Sequence, residues 1–271
     1  MKTRNSLSFA ALLLGAMLVS CEKKNNIVTP DQPKYGVDGV TPLPEAVDIG
    51  TVVNGKTVKW ASFNLGASRD NDYGDYYAWG ETSTKDNYYL DTYIFSSDGK
   101  LLTKYMSREG DTKYWDYTLK PEGPDGVEKL DPDDDVALVK LGGSWRMPTS
   151  DDFAALLALQ GKEGYEWDGW AAITDKDGNP LKDARGKDIR GLRITRTATG
   201  ATLFFPAAGY SNKTEKGSYS GMEGKYWSSI HFPTGTIMPG WSAEGFTFHM
   251  MGAKWMAEYR YYGFSIRPVC D

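Results

Sequence analysis

Histidine and cysteine, which form many nucleophilic and metal sites, are scarce in this chain. Its 271 residues include two histidines, His231 and His249, and two cysteines, Cys21 and Cys270. The sequence contains neither the Cys-x-x-Cys and His-Glu-x-x-His spacings of zinc sites nor the Gly-x-Ser-x-Gly motif of serine hydrolases. A Ser-His-Asp triad assembled from distant positions stays open, although no motif indicates one. We therefore predict a protein that is not an enzyme and that uses no metal and no cofactor.

Acidic residues are numerous enough to form a catalytic carboxylate pair. A glycosidase needs two carboxyl groups about 5 to 10 Å apart across a sugar cleft. Asp75, Glu81 and Glu244 lie near aromatic residues in the sequence and are the candidates for such a pair. Solvation or pairing with arginine is the more ordinary role of such side chains. A carbohydrate-active enzyme is therefore the alternative interpretation.

One segment resembles the start of a calcium-binding loop. Asp175, Asp177 and Asn179 alternate around Gly178, as oxygen ligands do in such loops. The glutamate expected at the twelfth position is replaced by Gly186. We predict a hairpin turn here and no metal site.

Cys21 ends a segment that has the pattern of a bacterial lipoprotein signal. Lys2 and Arg4 precede an apolar run over residues 9–19, and small residues lead to the cysteine. The run is shorter than the roughly 20 residues that span a bilayer, so residues 1–20 are predicted to be a signal peptide. Cleavage would free Cys21 for acylation, in which each buried CH₂ contributes about 0.8 kcal/mol of membrane affinity. A secretory signal with an incidental cysteine is the alternative.

Composition excludes some classes of partner. The net charge is −5, and loss of Lys2 and Arg4 with the signal would make it −7, so no basic stripe is available for nucleic acid. With Cys21 acylated, Cys270 has no partner for an intrachain disulfide. The chain has nine tryptophans, seventeen tyrosines and thirty glycines. This excess favours a turn-rich domain whose aromatic residues either contact a ligand or pack in the core.

The chain divides into a linker and one domain. Residues 21–45 contain four prolines and no apolar period, which predicts a flexible tether. Residues 46–271 are predicted to form a single domain. It begins with apolar alternation on both sides of Asn54-Gly55, the strongest short signal of a β-hairpin.

Two short helices are expected among many strands. Three aspartates, residues 133–135, precede an apolar run from Val136 and predict a helix start. Thr149 precedes apolar residues at helical spacing between Phe153 and Leu159, and Gly161 follows them. Strands are predicted over residues 165–173, 191–197, 201–205, 246–250 and 259–269. This mixture without an internal repeat indicates the α+β class.

Several motifs occur in an order that is familiar as a set. They are WASFNLGA at 60–67, YGDYYAWGET at 73–82, LGGSWRMPT at 141–149, FPAAGY at 205–210, YWSS at 226–229 and YYGFSIRPV at 261–269. This order resembles the Fibrobacter succinogenes major paralogous domain family, which is common in lipoproteins of Bacteroidetes. The resemblance implies a C-type-lectin-like domain with short twisted antiparallel strands, two short helices and long loops. It covers residues 47–269.

The resemblance also implies which motif residues build the fold. The structural set is Trp145, Arg146, Pro148, Trp227 and Arg267. We expect the two arginines to pair with carboxylates such as Asp48 or Asp75. Formylglycine-generating relatives use a cysteine pair that this chain lacks, so their oxidase chemistry is not expected. Calcium-dependent sugar binding is not expected either, because residues 227–229 read Trp-Ser-Ser where lectins have Trp-Asn-Asp.

The remaining functional candidates lie on the later loops. In this fold long loops between the later strands carry ligands, and loops carry function generally. The candidate ligand-binding residues are Tyr210, Asn212, Tyr219, His231 and Trp241. We expect a lipid-anchored, extracytoplasmic binding or adhesion module that recognises a glycan or protein. Its expected partners include the membrane but no nucleic acid. The alternatives are the enzyme above and a structural subunit of a surface appendage.

The predicted location is the outer membrane. Residues 22–24, Glu-Lys-Lys, lack the acidic run that resembles a surface-export signal in these bacteria. The domain is therefore expected to face either the cell surface or the periplasm.

Acylation of Cys21 is tested by metabolic labelling with radioactive palmitate in a bacterium that processes lipoproteins. The wild-type protein should incorporate label and Cys21→Ala should not, because the acyl chains have no other attachment point. Cys270→Ala is the matched control and should be labelled like the wild type. Equal labelling of the wild type and Cys21→Ala would contradict the anchor.

Overall fold

Antiparallel hairpins make up most of the structure. A computed structural model describes residues 34–97, 99–106, 127–232 and 240–271. The signal peptide, Cys21 and residues 21–33 of the predicted tether lie outside this part of the chain. The described helices are α1 (Val136–Leu141) and α2 (Ser150–Leu157), with single 3₁₀ turns at Leu90–Thr92 and Pro132–Asp134. The described strands are β1 (Ala46–Val53), β2 (Lys56–Ala61), β3 (Ser96–Ser97), β4 (Leu101–Leu102), β5 (Tyr165–Ala172), β6 (Arg190–Arg196), β7 (Ala201–Pro206), β8 (Tyr210–Asn212), β9 (Glu215–Ser218), β10 (Glu223–His231), β11 (Ser242–His249), β12 (Gly252–Tyr259) and β13 (Val269–Cys270).

These strands pair antiparallel in small sheets. Three sheets have three strands, in the orders β1-β2-β13, β5-β6-β7 and β10-β11-β12, and two are the short hairpins β3-β4 and β8-β9. The α+β class is therefore confirmed for the described residues, with strands predominating. The first hairpin is closed by Asn54 and Gly55 at φ 50° and 78°, the left-handed values that a two-residue turn requires.

Aspartate and threonine caps position both helices as predicted. Asp135 accepts hydrogen bonds from the backbone N–H groups of Ala137 and Leu138 at 3.0 and 3.1 Å. It also accepts from the N–H of Met147, which ties α1 to the segment before α2. Thr149 caps α2, and Asp152 completes the reciprocal capping box.

Aromatic side chains fill the core between α2 and the sheets. Phe153 of α2 stacks on Phe246 at a centroid distance of 5.1 Å and contacts Trp60 at 5.4 Å. Phe205 lies against Trp60 and Tyr226 in edge contacts. These five rings are buried, and each comes from a different element, so their packing joins β2, α2, β7, β10 and β11.

The end of the predicted tether is ordered. Tyr35 pairs with Pro42 in a tight turn, in which Asp38 accepts from the backbone N–H of Thr41 at 2.8 Å. The Asp38 carboxylate also lies 3.7 Å from the Lys140 ammonium of α1. Leu43 packs against the core. Residues 34–45 were predicted to be flexible, and the structure corrects this because their turn is hydrogen-bonded and packed on α1.

The segment predicted as the last strands is mostly irregular. Residues 260–268 lie between β12 and β13 and make only single β-bridges, with Tyr77 to Phe264 and Tyr226 to Ser265 among them. Because successive residues bridge to different parts of the chain, no continuous ladder forms. The alternating apolar pattern here reflects burial of Phe264 and Ile266.

The prediction that the two motif arginines pair with Asp48 or Asp75 is wrong. Arg146 binds Asp152 at 2.6 Å and Asp271 at 3.0 Å. Arg267 is fully buried and, among the residues that the structure describes, contacts no carboxylate: it donates to Asn64 Oδ1 at 2.9 Å and to two backbone carbonyls. These are the oxygens of Ala61 at 3.0 Å and Phe204 at 2.6 Å. Burial lowers the pKa of Arg267 to about 10.

Arg267 gives a stability prediction. Arg267→Leu removes the hydrogen bonds that Arg267 donates to three buried acceptors and should lower the free energy of unfolding by at least about 3 kcal/mol. The control is Arg69→Leu, which removes an exposed ion pair with Asp72 and should cost less than about 1 kcal/mol. Urea unfolding followed by tryptophan fluorescence measures both. Similar losses in the two variants would show that the buried network is unimportant.

Candidate functional site

The five predicted ligand-binding residues fall into two groups. His231 and Trp241 are fully buried, so the structure corrects their assignment as ligand contacts. Burial and the nearby Arg260 charge lower the pKa of His231 to about 2, which keeps its ring neutral. Trp241 lies in a core cluster, and its carbonyl accepts from the N–H of Arg260 at 2.9 Å. The sequence near residue 241 did not indicate this burial.

Tyr210 and Tyr219 form a stacked pair at the surface. Their ring centroids are 5.8 Å apart and their planes differ by 6°. Tyr262 packs beside Tyr210 at 5.7 Å. We call Tyr210, Tyr219 and Tyr262 the tyrosine platform. Tyr219 is 56 % exposed and presents its ring to solvent.

Tyr262 was not among the sequence candidates. The signal that could have found it is the local density of tyrosine, since Tyr259 and Tyr261 are its near neighbours. Tyr261 contacts Tyr262 at 4.9 Å, stacks on Tyr259 at 5.3 Å and meets Tyr89 at 5.9 Å. The platform is thus one end of a continuous row of tyrosine rings.

Tyr219 is held in a strained backbone conformation. Its φ is 59°, a left-handed value that bulky residues rarely adopt. Its carbonyl accepts from the N–H groups of Met222 and Glu223 at 2.9 and 3.1 Å. Gly217 and Gly221, at φ 64° and 73°, allow the chain to turn on both sides. The tight turn projects the ring outward against Tyr210.

Arg185 clamps this turn from a distant part of the sequence. Its guanidinium donates to the carbonyl of Gly217 at 3.0 Å and to the Ser220 hydroxyl. Arg185 itself lies in a turn closed by Asp183, which accepts from the N–H groups of Arg185 and Lys187 at 2.9 Å each. The excursion between β5 and β6 therefore fixes the position of Tyr219.

Lys225 joins the platform to the neighbouring sheet. Its ammonium lies 4.6 Å from the centre of the Tyr210 ring and 2.8 Å from a carboxylate oxygen of Glu258. Burial raises the pKa of Tyr210, and the charges of Glu223 and Glu258 raise it further. Burial and Glu258 raise the pKa of Tyr262 to about 12. Both phenols therefore remain protonated hydrogen-bond donors at neutral pH.

A shallow groove of about 450 Å³ runs along the sheet next to the platform. We call it the strand groove. Its lining residues are Glu223, Lys225, Thr247, His249, Lys254, Trp255, Met256, Ala257 and Glu258. The register pairs Lys225 with Thr247 and Thr247 with Lys254, which places these three on one sheet face. The groove thus offers donors and acceptors of both charge signs.

Asn212 lies on β8 two residues after Tyr210. Its pairing partner is Glu215 of β9. The side-chain oxygen is buried and has no hydrogen-bond partner among the described residues.

The three carboxylates considered for catalysis are engaged separately. Glu81 binds the Lys85 ammonium at 2.6 Å and accepts from the N–H of Ile94. Glu244 accepts from the Ser150 hydroxyl. Asp75 accepts from the Tyr77 hydroxyl at 3.1 Å. The described part of the chain also holds no cluster of three His, Cys, Asp or Glu side chains that could bind a metal.

A second hollow of about 490 Å³ lies at the start of α2. Its charged lining includes Arg146, Asp152 and Asp271, which neutralise one another as described above. The α2 N-terminus is already satisfied by Thr149. The hollow's other charged lining residues are Lys56, Lys129 and Asp151. Of the helices that the structure describes, none has the length and apolarity needed to cross a membrane.

Comparison of the chain with protein-family models, curated protein sequences and solved structures finds no match.

The clamp on the tyrosine turn yields a prediction. Arg185→Ala should accelerate amide hydrogen exchange at Ser220 and Gly221 by about tenfold, because two hydrogen bonds that hold the turn are lost. Arg69→Ala is a matched control, since it removes an arginine that pairs only with Asp72 in the described structure. Exchange followed by mass spectrometry distinguishes the two. Unchanged exchange at residues 217–221 in Arg185→Ala would show that the turn holds itself.

Proposed function

We propose that this protein is a lipid-anchored, extracytoplasmic binding or adhesion module that holds a glycan or protein ligand on the tyrosine platform without catalysis. The observation that carries the proposal is the stacked pair of Tyr210 and Tyr219, in which Tyr219 is exposed and has a strained backbone. Strain of this kind costs of order 1–3 kcal/mol and clusters at binding sites. A fold that needs Tyr219 only for packing would have no reason to turn its ring toward water.

Preorganisation makes the platform suitable for binding. Tyrosine supplies a large amphipathic contact area with only two rotatable side-chain bonds, so ordering it costs little entropy. Stacking on Tyr210 and the clamp by Arg185 restrict the ring before any ligand arrives. Binding then loses less conformational freedom than it would with a mobile side chain.

The family and the location are parts of the same proposal. The ordered motifs resemble those of the Fibrobacter succinogenes major paralogous domain, and we propose the C-type-lectin-like fold on that basis. Support comes from the segment between Trp145 and Thr149, which crosses from α1 to the capped start of α2 and packs Met147 into the core. Acylation at Cys21 would place the domain at the outer membrane, facing the surface or the periplasm.

Catalysis is the less favoured function. The candidate carboxylates Asp75, Glu81 and Glu244 each have a different hydrogen-bonding partner in the fold. A glycosidase needs two carboxyl groups that face a common cleft. A binding role agrees better with this arrangement.

A combined array of glycans and extracellular-matrix proteins tests the function. The soluble domain should bind at least one class, and Tyr219→Asn should weaken that binding by about fivefold to tenfold through loss of ring contacts. Asparagine is chosen because it tolerates the left-handed backbone of residue 219. Tyr35→Ala removes a tyrosine that is 49 % exposed elsewhere and should bind like the wild type. An array without signals, repeated at high protein concentration, would overturn the proposed function.

A further inference from the structure

We propose that the ligand of this site is a neutral sugar chain that stacks one ring on Tyr219 and lies along the strand groove. This inference rests on the proposed function and names its ligand class. The groove and the platform are one surface, because Lys225 lines the groove and also lies over the Tyr210 ring. Glu223 adds a second link, since it lines the groove and its N–H donates to the Tyr219 carbonyl.

The charges of the strand groove favour a neutral ligand. Glu223 and Glu258 carry negative charge, whereas Lys225 and Lys254 carry positive charge. Lys225 and Glu258 are already paired at 2.8 Å. An anionic ligand would meet two carboxylates and a cationic ligand two ammonium groups, so neither gains from the groove as a whole.

The polarity of the groove floor favours hydroxyl groups. A sugar ring presents an apolar C–H face and a rim of hydroxyls that donate and accept hydrogen bonds. The exposed Tyr219 ring offers an apolar surface to the C–H face. Thr247, His249 and the charged side chains can form hydrogen bonds with the hydroxyls. A volume of about 450 Å³ lies within the range of small-ligand sites.

A protein ligand would be expected to use other residues. Three exposed methionines lie at one end of the sheet β10-β11-β12. They are Met222, Met250 and Met251, with side chains 58 %, 76 % and 86 % exposed. The cores of protein interfaces are apolar and enriched in methionine. In the strand groove the methionine is Met256, which is only 7 % exposed. The exposed methionines therefore provide a discriminating control for the polar groove.

The inference is tested with defined oligosaccharides and the full soluble domain. The neutral probes are the hexamers of cellulose, mannan and chitin, and the anionic probes are hexamers of galacturonate and heparin. Calorimetric titration should detect at least one neutral hexamer and should show weaker binding of each anionic one. For that neutral hexamer, Tyr219→Asn should raise Kd about fivefold to tenfold.

Two exposed substitutions separate the groove from the methionines. Lys254→Met removes a hydrogen-bond donor from the groove and should raise Kd by about threefold or more. Met251→Ser lies outside the groove and should change Kd by less than about twofold. All three variants alter exposed side chains, and thermal unfolding verifies that each is folded.

Each other outcome overturns the inference in a recognisable way. Preference for anionic hexamers, or neutral binding that is insensitive to both Tyr219→Asn and Lys254→Met, rejects the ligand class or the site and leaves a binding function standing. Binding to matrix proteins alone, weakened by Met251→Ser, replaces the sugar with a protein partner. Absence of binding to every sugar and protein probe would reject the proposed function together with the inference.

Discussion

A buried arginine that has no carboxylate partner in the described part of the chain holds the centre of this fold. Arg267 donates to carbonyl groups at the end of β2 and in β7 and to the side chain of Asn64. Its guanidinium also lies 4.7 Å from the centre of the Phe205 ring. Burial of a charge is costly unless its donors are matched with acceptors. Since the acceptors come from separate segments, the positions of those segments are coupled to one side chain.

The same network extends to β10, the strand that carries Lys225 next to the tyrosine platform. The Asn64 amide donates to the Tyr73 carbonyl at 2.9 Å and contacts the Tyr226 hydroxyl at 3.3 Å, and that hydroxyl donates to the Pro206 carbonyl. Tyr226 lies on the core face of β10. Lys225, its neighbour in sequence, therefore lies on the opposite face, where it contacts Tyr210 and Glu258. A rigid core strand thus positions the residues of the surface.

Local signals predicted the elements well, and long-range pairing escaped prediction. The Asn54-Gly55 hairpin and the caps Asp135 and Thr149 depend on residues within a few positions of one another. The local sequence was therefore sufficient to predict them. Asn64, a partner of Arg267, lies over 200 residues away in the sequence. No local sequence pattern indicates a contact between residues so far apart. Trp241 was assigned to the surface because it lies near the later loops, whereas the structure buries it in the core, where its carbonyl pairs with Arg260.

The sequence alone determined the α+β class, the hairpin and helix starts, and the shortage of histidine and cysteine. It also placed Tyr210 and Tyr219 in the segment that carries the surface. Only the tertiary structure decided that these rings stack, that Tyr262 joins them, and that Arg185 clamps their turn. The reason is physical: caps and turns are specified by neighbouring residues, whereas stacking and clamping depend on segments that folding brings together. Burial likewise depends on the whole chain, and it separated the exposed Tyr219 from the enclosed Trp241.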